Sequence, residues 1–494
     1  MKRAFDDPVW LGIDLGTQSV RAVALTAAGV VAGSGAARLT SHRDGGRHEQ
    51  NPGEWWASLA LACREALAEI APAAVRGLAV DGTSGTILLT DRKGTALTAG
   101  LMYDDVRAVK EATLVNRAGA ELWSALGYNR MQAAWGLPKL LWLIRNQRDL
   151  LNAHTRLAHQ TDYIHHHLAG RPVDTDTSNA LKSGCNLLDT TWPHDVFTTL
   201  DIPPSLLPPL ARPGTPIGEV CKAAAAETGI PAGTPIFAGM TDGCASQIAA
   251  GALSAGSWNA VLGTTLVLKG VSPALIKDPA GVLYSHRGPD GDWLPGGASS
   301  AGAGVLTKYF AGRDLGALTA RALERIPTPV ISYPLAGSGE RFPFHAPEAE
   351  GFMLGTPADE IEHFAALLQG VALLERLCFD YLDLLGAPTS GELRLTGGGA
   401  RNRAWCQLRA DALGKSVAIP ETAEAAAGMA ILAASAGRPL AEAARRMVRV
   451  RETIAPRAKR TAQLREPFLR LVDELERRCW VSPDVARHAH RRAR

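Results

Sequence analysis

Two passages about half the chain apart share one design, an apolar strand that turns straight back at a Gly-Thr step into a second apolar strand. Residues 9–15 run into Asp14-Leu15-Gly16-Thr17-Gln18-Ser19, and residues 20–25 are apolar again before the Ala28-Gly29 turn and a third strand from Val30. Residues 257–262 repeat the pattern, ending at Gly263-Thr264-Thr265 before a second strand over 266–271. A lone hairpin cannot bury its apolar face. Each copy therefore needs layers of its own, which predicts two domains of related architecture with a boundary near 251–257. With 494 residues, 46% of them hydrophobic, the chain is long enough for two cores.

The intervening segments alternate strand and helix. A helix is expected from Pro52 through Trp55-Trp56 to about Ile70, with both tryptophans read as core. Strands follow over 74–80, stopping at Asp81-Gly82-Thr83-Ser84-Gly85, and over 87–90. A strand at 235–239 leads through Thr241-Asp242-Gly243 into a helix over 244–250, and later helices are expected over 359–385 and 423–436. This is the α/β pattern. The proline-rich passage 203–216 reads as a surface loop inside a domain, and the basic residues from Val481 onward as a frayed, solvated tail. The domains are placed at 8–252 and 253–455, with a basic C-terminal extension over 456–494.

A formal net charge of +3 gives no reason to expect nucleic acid as a partner. The seven cysteines are scattered without a CxxC pair, arguing for reduced thiols rather than disulfides or structural zinc. The opening MKRAFDDPVW lacks a secretory apolar region, and no apolar run reaches the roughly 18 residues that a membrane helix needs. The expectation is a soluble cytoplasmic protein with no membrane partner, and assembly into a homodimer stays open. His165-His166-His167 with His159 is not read as a metal site, because adjacent helical side chains diverge.

Several loops carry chemistry. In the first, Gly16 lets backbone approach a phosphate, Thr17, Gln18 and Ser19 line the turn, and Arg21 can offset phosphate charge. Asp14, at the strand end, can hold Mg²⁺, directly or through water. An ordinary hairpin turn is the alternative for one such loop. The second, Gly263-Thr264-Thr265, favours a pair of turns that clamp a polyphosphate. Gly296 to Gly304, with Gly302 inside it, permits close packing or a flat ligand, whereas Gly397-Gly398-Gly399-Ala400-Arg401-Asn402 follows a strand and opens a helix, a place for a phosphate or nucleotide edge. Asp242, between a strand and a helix, is either a general base for a hydroxyl or a helix cap. Glu49 is either a sugar hydrogen-bonding group or a first-turn helix acid.

Taken together these residues resemble the FGGY family of carbohydrate kinases, within the actin, hexokinase and heat-shock chaperone ATPase superfamily. The resemblance runs over about 9–436 and rests on Asp14-Leu-Gly-Thr17, Glu49-Gln-Asn-Pro52-Gly-Glu-Trp55-Trp56, Asp162-Tyr-Ile164, Gly239-Met-Thr-Asp242, Leu262-Gly-Thr-Thr265 and Gly397-Gly-Gly-Ala-Arg-Asn402. It implies two ribonuclease-H-like domains around a central cleft, ATP and Mg²⁺ as cofactors, and Asp242 as catalytic base. It also implies Gly263 to Thr265 near the phosphates and Gly398, Gly399 and Asn402 at the adenosine end. Xylulose kinases of the family carry Gln-Met-His-Gly where this chain has Gly82-Thr83-Ser84-Gly85. The segments Asp81-Gly-Thr-Ser-Gly-Thr86, Tyr284-Ser-His286, Trp293-Leu-Pro-Gly-Gly-Ala298 and Gly339-Glu-Arg-Phe-Pro343 are similar instead to the D-ribulose kinases of plant and cyanobacterial type. That resemblance implies sugar contacts from Asp14, Thr83, Ser84 and Asp242, with D-ribulose as substrate and D-xylulose as the alternative. An actin- or chaperone-like ATPase acting on a protein partner is the rival from another class.

Overall fold

The computed structural model describes residues 5–494, which divide into two compact units. The first holds the chain up to Gly251 with His286–Trp293 and Thr422–Arg449; the second holds Ala252–Ser285, Leu294–Glu421 and Val450–Arg494. Two later segments thus return to the first unit, which a division of the chain into consecutive blocks does not foresee.

In the first unit six strands run in the order Pro216–Glu219, Pro235–Phe237, Val75–Gly82, Val9–Leu15, Ser19–Thr26, Val31–Arg38. The opening hairpin is antiparallel, with Asp14 opposite Arg21. Val75–Gly82 lies parallel to the first strand, with Asp81 beside Asp14, and Pro235–Phe237 runs parallel to it on the other side. Strands covered on both faces need near-continuous apolar residues. Leu11, Ile13, Leu78 and Val80 supply them, all wholly buried. The helix Pro52–Leu67 is started by Asn51, whose side chain accepts from the Gly53 N–H at 2.9 Å, and by Pro52 in its first turn. It packs on the second and third strands of the sheet with Trp55 wholly buried. Trp56 instead sends its indole N–H outward to Glu227 at 2.7 Å. Helix Ala425–Ser435, almost all small buried residues, packs on Val9–Leu15 and on helix Asp242–Ala250.

The second unit repeats the hairpin. Trp258–Leu262 pairs antiparallel with Leu266–Gly270 and parallel with Leu393–Thr396, as Val9–Leu15 does with its two neighbours. Its seven-stranded sheet runs Tyr284–Arg287, Trp293–Ala298, Leu266–Gly270, Trp258–Leu262, Leu393–Thr396, Val417–Pro420, Val450–Ile454. Gly296 and Gly297 belong to a strand rather than to a loop after it. Helix Glu360–Leu384, capped by Asp359, runs through the core.

The C-terminal residues are not a frayed tail. Helices Ala458–Arg477 and Pro483–Arg492 bury Leu464, Phe468, Leu471, Leu475, Val485 and Ala489 in the core of the second unit. Their positive charge is anchored as well: Arg492 pairs with Asp380 at 2.7 Å and Asp383 at 2.6 Å. No described helix is long and apolar enough to cross a membrane.

Helix Gln160–Ala169 directs its three adjacent histidines apart. His165 is buried, the His166 ring lies against Gly94, and His167 donates to the Tyr163 carbonyl at 2.8 Å. Burial pushes the His165 imidazole down to about 4. The unfolded chain takes up that proton near pH 6.5, so this contribution to stability is complete above about 6.5 and is lost as pH falls toward 4. One such group is worth up to about 3 kcal/mol over that window. His165→Phe is expected to flatten the decline of the urea midpoint between those pH values; a slope identical to that of the unmodified protein would exclude His165 as its source.

Candidate active site

Parallel order brings three chain ends to one edge of the first unit's sheet. Asp14 and Asp81 occupy paired register positions, and Gly82 forms a parallel bridge with Thr241, the residue before Asp242. Three carboxylates from distant parts of the sequence therefore come to the same sheet edge. Asp81 is wholly buried, and its oxygens meet no N–H or hydroxyl donor among the described residues. Burial above all, then the charges of Asp14 and Asp242, raises it well above the usual carboxylate range. Asp81 is thus the member that keeps its proton, donating it in a hydrogen bond to Asp14. The Asp14 carboxyl is itself pushed up to about 6, mainly by burial and further by Asp242 and Glu424, while the bond from Asp81 and the Arg21 guanidinium oppose the rise.

Asp242 opens helix Asp242–Ala250, with Thr241 in the N-cap position but making no side-chain cap bond. Its Oδ1 accepts the Gly243 N–H at 2.7 Å, which orients the carboxylate. Thr241 is tied down in turn: Ser178 Oγ accepts its backbone N–H at 3.2 Å, and the same hydroxyl lies 3.0 Å from His286 Nδ1. The phosphate-type loop is a tight turn closed by Gly16 N–H to the Ser19 carbonyl at 3.1 Å. The carbonyls of Thr17 and Gln18 are used internally, accepting from Gln50 Nε2 and from the Leu39 N–H. The Thr17 side chain bonds the Tyr103 hydroxyl, and Tyr103 also feels the charge of Asp242.

Two residues, Thr83 and Glu49, carry structural loads that the sequence reading did not assign them. Thr83 is only 3% exposed; its N–H and hydroxyl both lie 2.9 Å from Gln160 Oε1, and its hydroxyl also meets Thr86. It pins the loop from within, because its bonding capacity is largely spent there. Ser84 differs, for among the described residues its hydroxyl has no partner, while its carbonyl is held by Lys182 at 3.2 Å. Glu49 is in a strand, not a first helical turn, and accepts from Arg107 at 2.6 Å.

In the second unit the predicted turns also cluster. Gly263 N–H closes on the Thr265 carbonyl at 2.9 Å, and the Ala303 and Gly304 N–H groups bond the Gly263 and Thr264 carbonyls. Gly302 is buried there, and a Cβ on it would lie 2.6 Å from backbone atoms of Thr264 and Thr265. Its function in the fold is close approach of two backbones. Gly397 and Gly399 pack on Leu262, while Gly398 faces open space. Asn402 caps helix Arg403–Leu413, its Oδ1 accepting from Trp405 N–H at 3.1 Å and its Nδ2 donating to Thr319 at 2.9 Å. Its amide is committed to the helix start.

No three imidazole, thiolate or carboxylate groups converge as a metal cage among the described residues. Mg²⁺ does not need one, since it is commonly held by one or two carboxylates with water and substrate phosphates. The Asp14 carboxyl, close to the negative charge of Asp242 and Glu424, offers the hard oxygen donor that such a cation takes.

Models of the N-terminal and C-terminal domains of the FGGY family of carbohydrate kinases match residues 9–249 and 258–437. The chain belongs to the FGGY family of carbohydrate kinases. It is 25% identical to the xylulose kinase of Bacillus subtilis, over 93% of this chain and 95% of that one, and 29% identical to that of Streptomyces coelicolor, over 90% and 91%. The crystal structure of xylulose kinase from Rhodospirillum rubrum superposes with a TM-score of 0.84 at 26% identity, covering 94% of this chain and 99% of that one. This FGGY protein therefore has the two-domain mixed α/β fold of the family, in keeping with the ribonuclease-H-like architecture of actin and hexokinase, and is a sugar phosphotransferase. Kinases of the family use ATP, typically with Mg²⁺.

Among the candidate site residues of this FGGY kinase, Asp81, Tyr103 and Glu424 are not singled out by the sequence reading. Asp81 directly precedes the Gly82-Thr83-Ser84-Gly85 turn at the end of an apolar strand, the same position as Asp14 before its own turn, and that parallel was the available signal.

Proposed function

We propose that this FGGY kinase phosphorylates a free keto-pentose, D-ribulose in preference to D-xylulose, to the 5-phosphate. The observation that supports the chemistry is the position of Asp242: a half-buried carboxylate at the strand-end edge, oriented by the Gly243 N–H and beside Asp14 and the residue 82–84 loop. In this reading Asp242 takes the proton of the attacking sugar hydroxyl as its oxygen bonds to the terminal phosphorus of ATP, and the bond from that phosphorus to ADP breaks. Gly16, Thr17, Ser19 and Arg21 attend the transferred phosphoryl group. Gly263, Thr264, Thr265 and the open Gly398 receive the nucleotide, with Gly399, Gly302 and Asn402 shaping that seat from behind. Asp14 is the residue assigned to Mg²⁺, directly or through water; the ion supplies neutralisation of phosphate charge when bound.

The sugar preference rests on the 81–86 loop. The unpartnered Ser84 hydroxyl offers a short hydrogen-bonding group where xylulose kinases carry longer Met and His side chains, and Thr83 turned inward holds that loop. D-Ribulose and D-xylulose differ at one stereocentre, and a buried polar group left unpaired costs about 1–3 kcal/mol, or roughly one to two powers of ten. Initial rates with D-ribulose, D-xylulose, L-ribulose, ribitol and glycerol test this. D-ribulose is expected to give the highest kcat/KM and D-xylulose measurable cross-activity. D-xylulose ranking first would make this a xylulose kinase, and ATP turnover indifferent to sugar would remove the keto-pentose altogether.

A further inference from the structure

The first unit contains a cavity of about 420 Å³, within the size range of small-molecule sites. It lies where the antiparallel strands Ile87–Thr90 and Arg156–His159 end at the Thr90–Arg156 pair, and it is roofed by the proline-rich passage around Pro208. Its walls are mainly apolar, including Leu157, Tyr163, Val173 and Pro208. Two guanidinium groups, Arg92 and Arg156, stand at it with no ion pair to a carboxylate among the described residues, and Asp91 and Asp162 line it as well. Among the described residues Arg156 donates only to the Ala153 and Thr155 carbonyls, and burial, then the neighbouring charge of Arg92, lowers its pKa. Two such cations, forked and mutually repelling, favour an anionic head between them. Asp162, also lining the cavity and nine-tenths buried, holds His159 through Oδ2 and leaves Oδ1 without a donor.

The cavity is wired to the proposed sugar loop. His159 is followed by Gln160, whose Oε1 holds both the N–H and the hydroxyl of Thr83, and Ile87 opens the paired strand one residue after Thr86. Four residues of strand, about 10 Å, separate the two ends.

We infer that this cavity is an effector site for a small molecule with a ring-sized apolar body and one phosphate or carboxylate head, and that its occupancy is read by the sugar loop through Gln160. Arg92 and Arg156 bind the head, the Tyr163, Val173 and Pro208 walls cover the body, and Asp162 Oδ1 accepts a hydrogen bond from a donor on the ligand where one is present. The site does not depend on which pentulose the enzyme phosphorylates.

The probe is 1-naphthyl phosphate, titrated by fluorescence into full-length enzyme saturated with ADP and the best sugar of the panel. Saturable binding is expected, weakened about tenfold or more by Arg92→Glu, which removes a charge-assisted contact and repels the head. Val173→Trp, which fills the cavity, is expected to abolish it. Inorganic phosphate should bind more weakly than the probe. At saturating probe the KM for sugar should shift severalfold while that for ATP does not, and Arg92→Glu, with basal rates like those of the unmodified enzyme, should lose the shift. No binding to the saturated enzyme, equal binding by both variants, or phosphate binding as tightly as the probe would overturn the site. Binding that leaves sugar KM unmoved would overturn its effector role.

Discussion

Replacing Asp242 with asparagine is expected to lower kcat by about 10²–10⁴-fold while sugar and ATP KM stay within a few-fold, because general-base catalysis supplies an acceleration of that size and asparagine cannot accept the proton. That corresponds to about 3–5 kcal/mol of transition-state stabilisation. The substitution is nearly isosteric, and asparagine Oδ1 can still accept the Gly243 N–H, so the helix start is kept. Two small stability effects oppose each other. A negative charge at a helix N-terminus is worth about 0.3–1 kcal/mol and is lost; repulsion of Asp14 and Asp81 by Asp242 is relieved. The melting temperature should therefore move little, which separates lost chemistry from lost fold. Steady-state kinetics beside a thermal melt decide it: a variant with near-normal kcat would exclude Asp242 as the base, and one that melts far below the parent would make the lost rate uninformative until Asp242→Glu were compared.

The same edge shows why some of the site could be read from the sequence and some could not. The strand ends at Asp14 and Asp81 and the helix after Thr241 are set by local signals, apolar runs stopped by Gly, so their positions were legible within a residue or two. Their convergence was not, because parallel register between Val9–Leu15 and Val75–Gly82 is a long-range fact. The reassigned side chains fail in the same way. The partners that claim Thr83, Glu49 and Asn402 are Gln160, Arg107 and Thr319, which lie 77, 58 and 83 residues away. The C-terminal helices are a different case. Val485, Ala486 and Ala489, within the stretch read as a solvated tail, recur at helical spacing and all are buried, so the periodicity was present beneath the basic residues.

Gly12→Ala is expected to be among the most damaging single-methyl changes in the molecule, and the reason ties the core to the site. A Cβ on Gly12 would stand 1.7 Å from the Ala426 carbonyl oxygen and 2.4 Å from the Ala430 nitrogen, both backbone atoms of helix Ala425–Ser435. Backbone cannot rotate away as a side chain can, so the helix or the strand must shift bodily. Overpacking ordinarily costs about 1–3 kcal/mol, and a rigid overlap of this depth belongs at or above the upper end. For a unit of this size about 3 kcal/mol lowers the melting temperature by roughly 5 °C. The same helix presents Gly428 to helix Asp242–Ala250, where a Cβ would meet the Ala245 carbonyl at 1.9 Å. One small-residue helix thus packs on both the strand that ends in Asp14 and the helix that begins with Asp242, and Glu424, which perturbs Asp14, is its N-cap residue. Pushing it off Gly12 should change the spacing of the two carboxylates, so the protein that still folds at low temperature should show reduced kcat as well as reduced stability. Gly337→Ala, where an added Cβ meets nothing within 4 Å, is the matched control and should be close to neutral. A Gly12→Ala protein that melts and turns over like that control would show that the helix does not lie against the strand, and the placement of Asp14 relative to Asp242 would lose its structural basis.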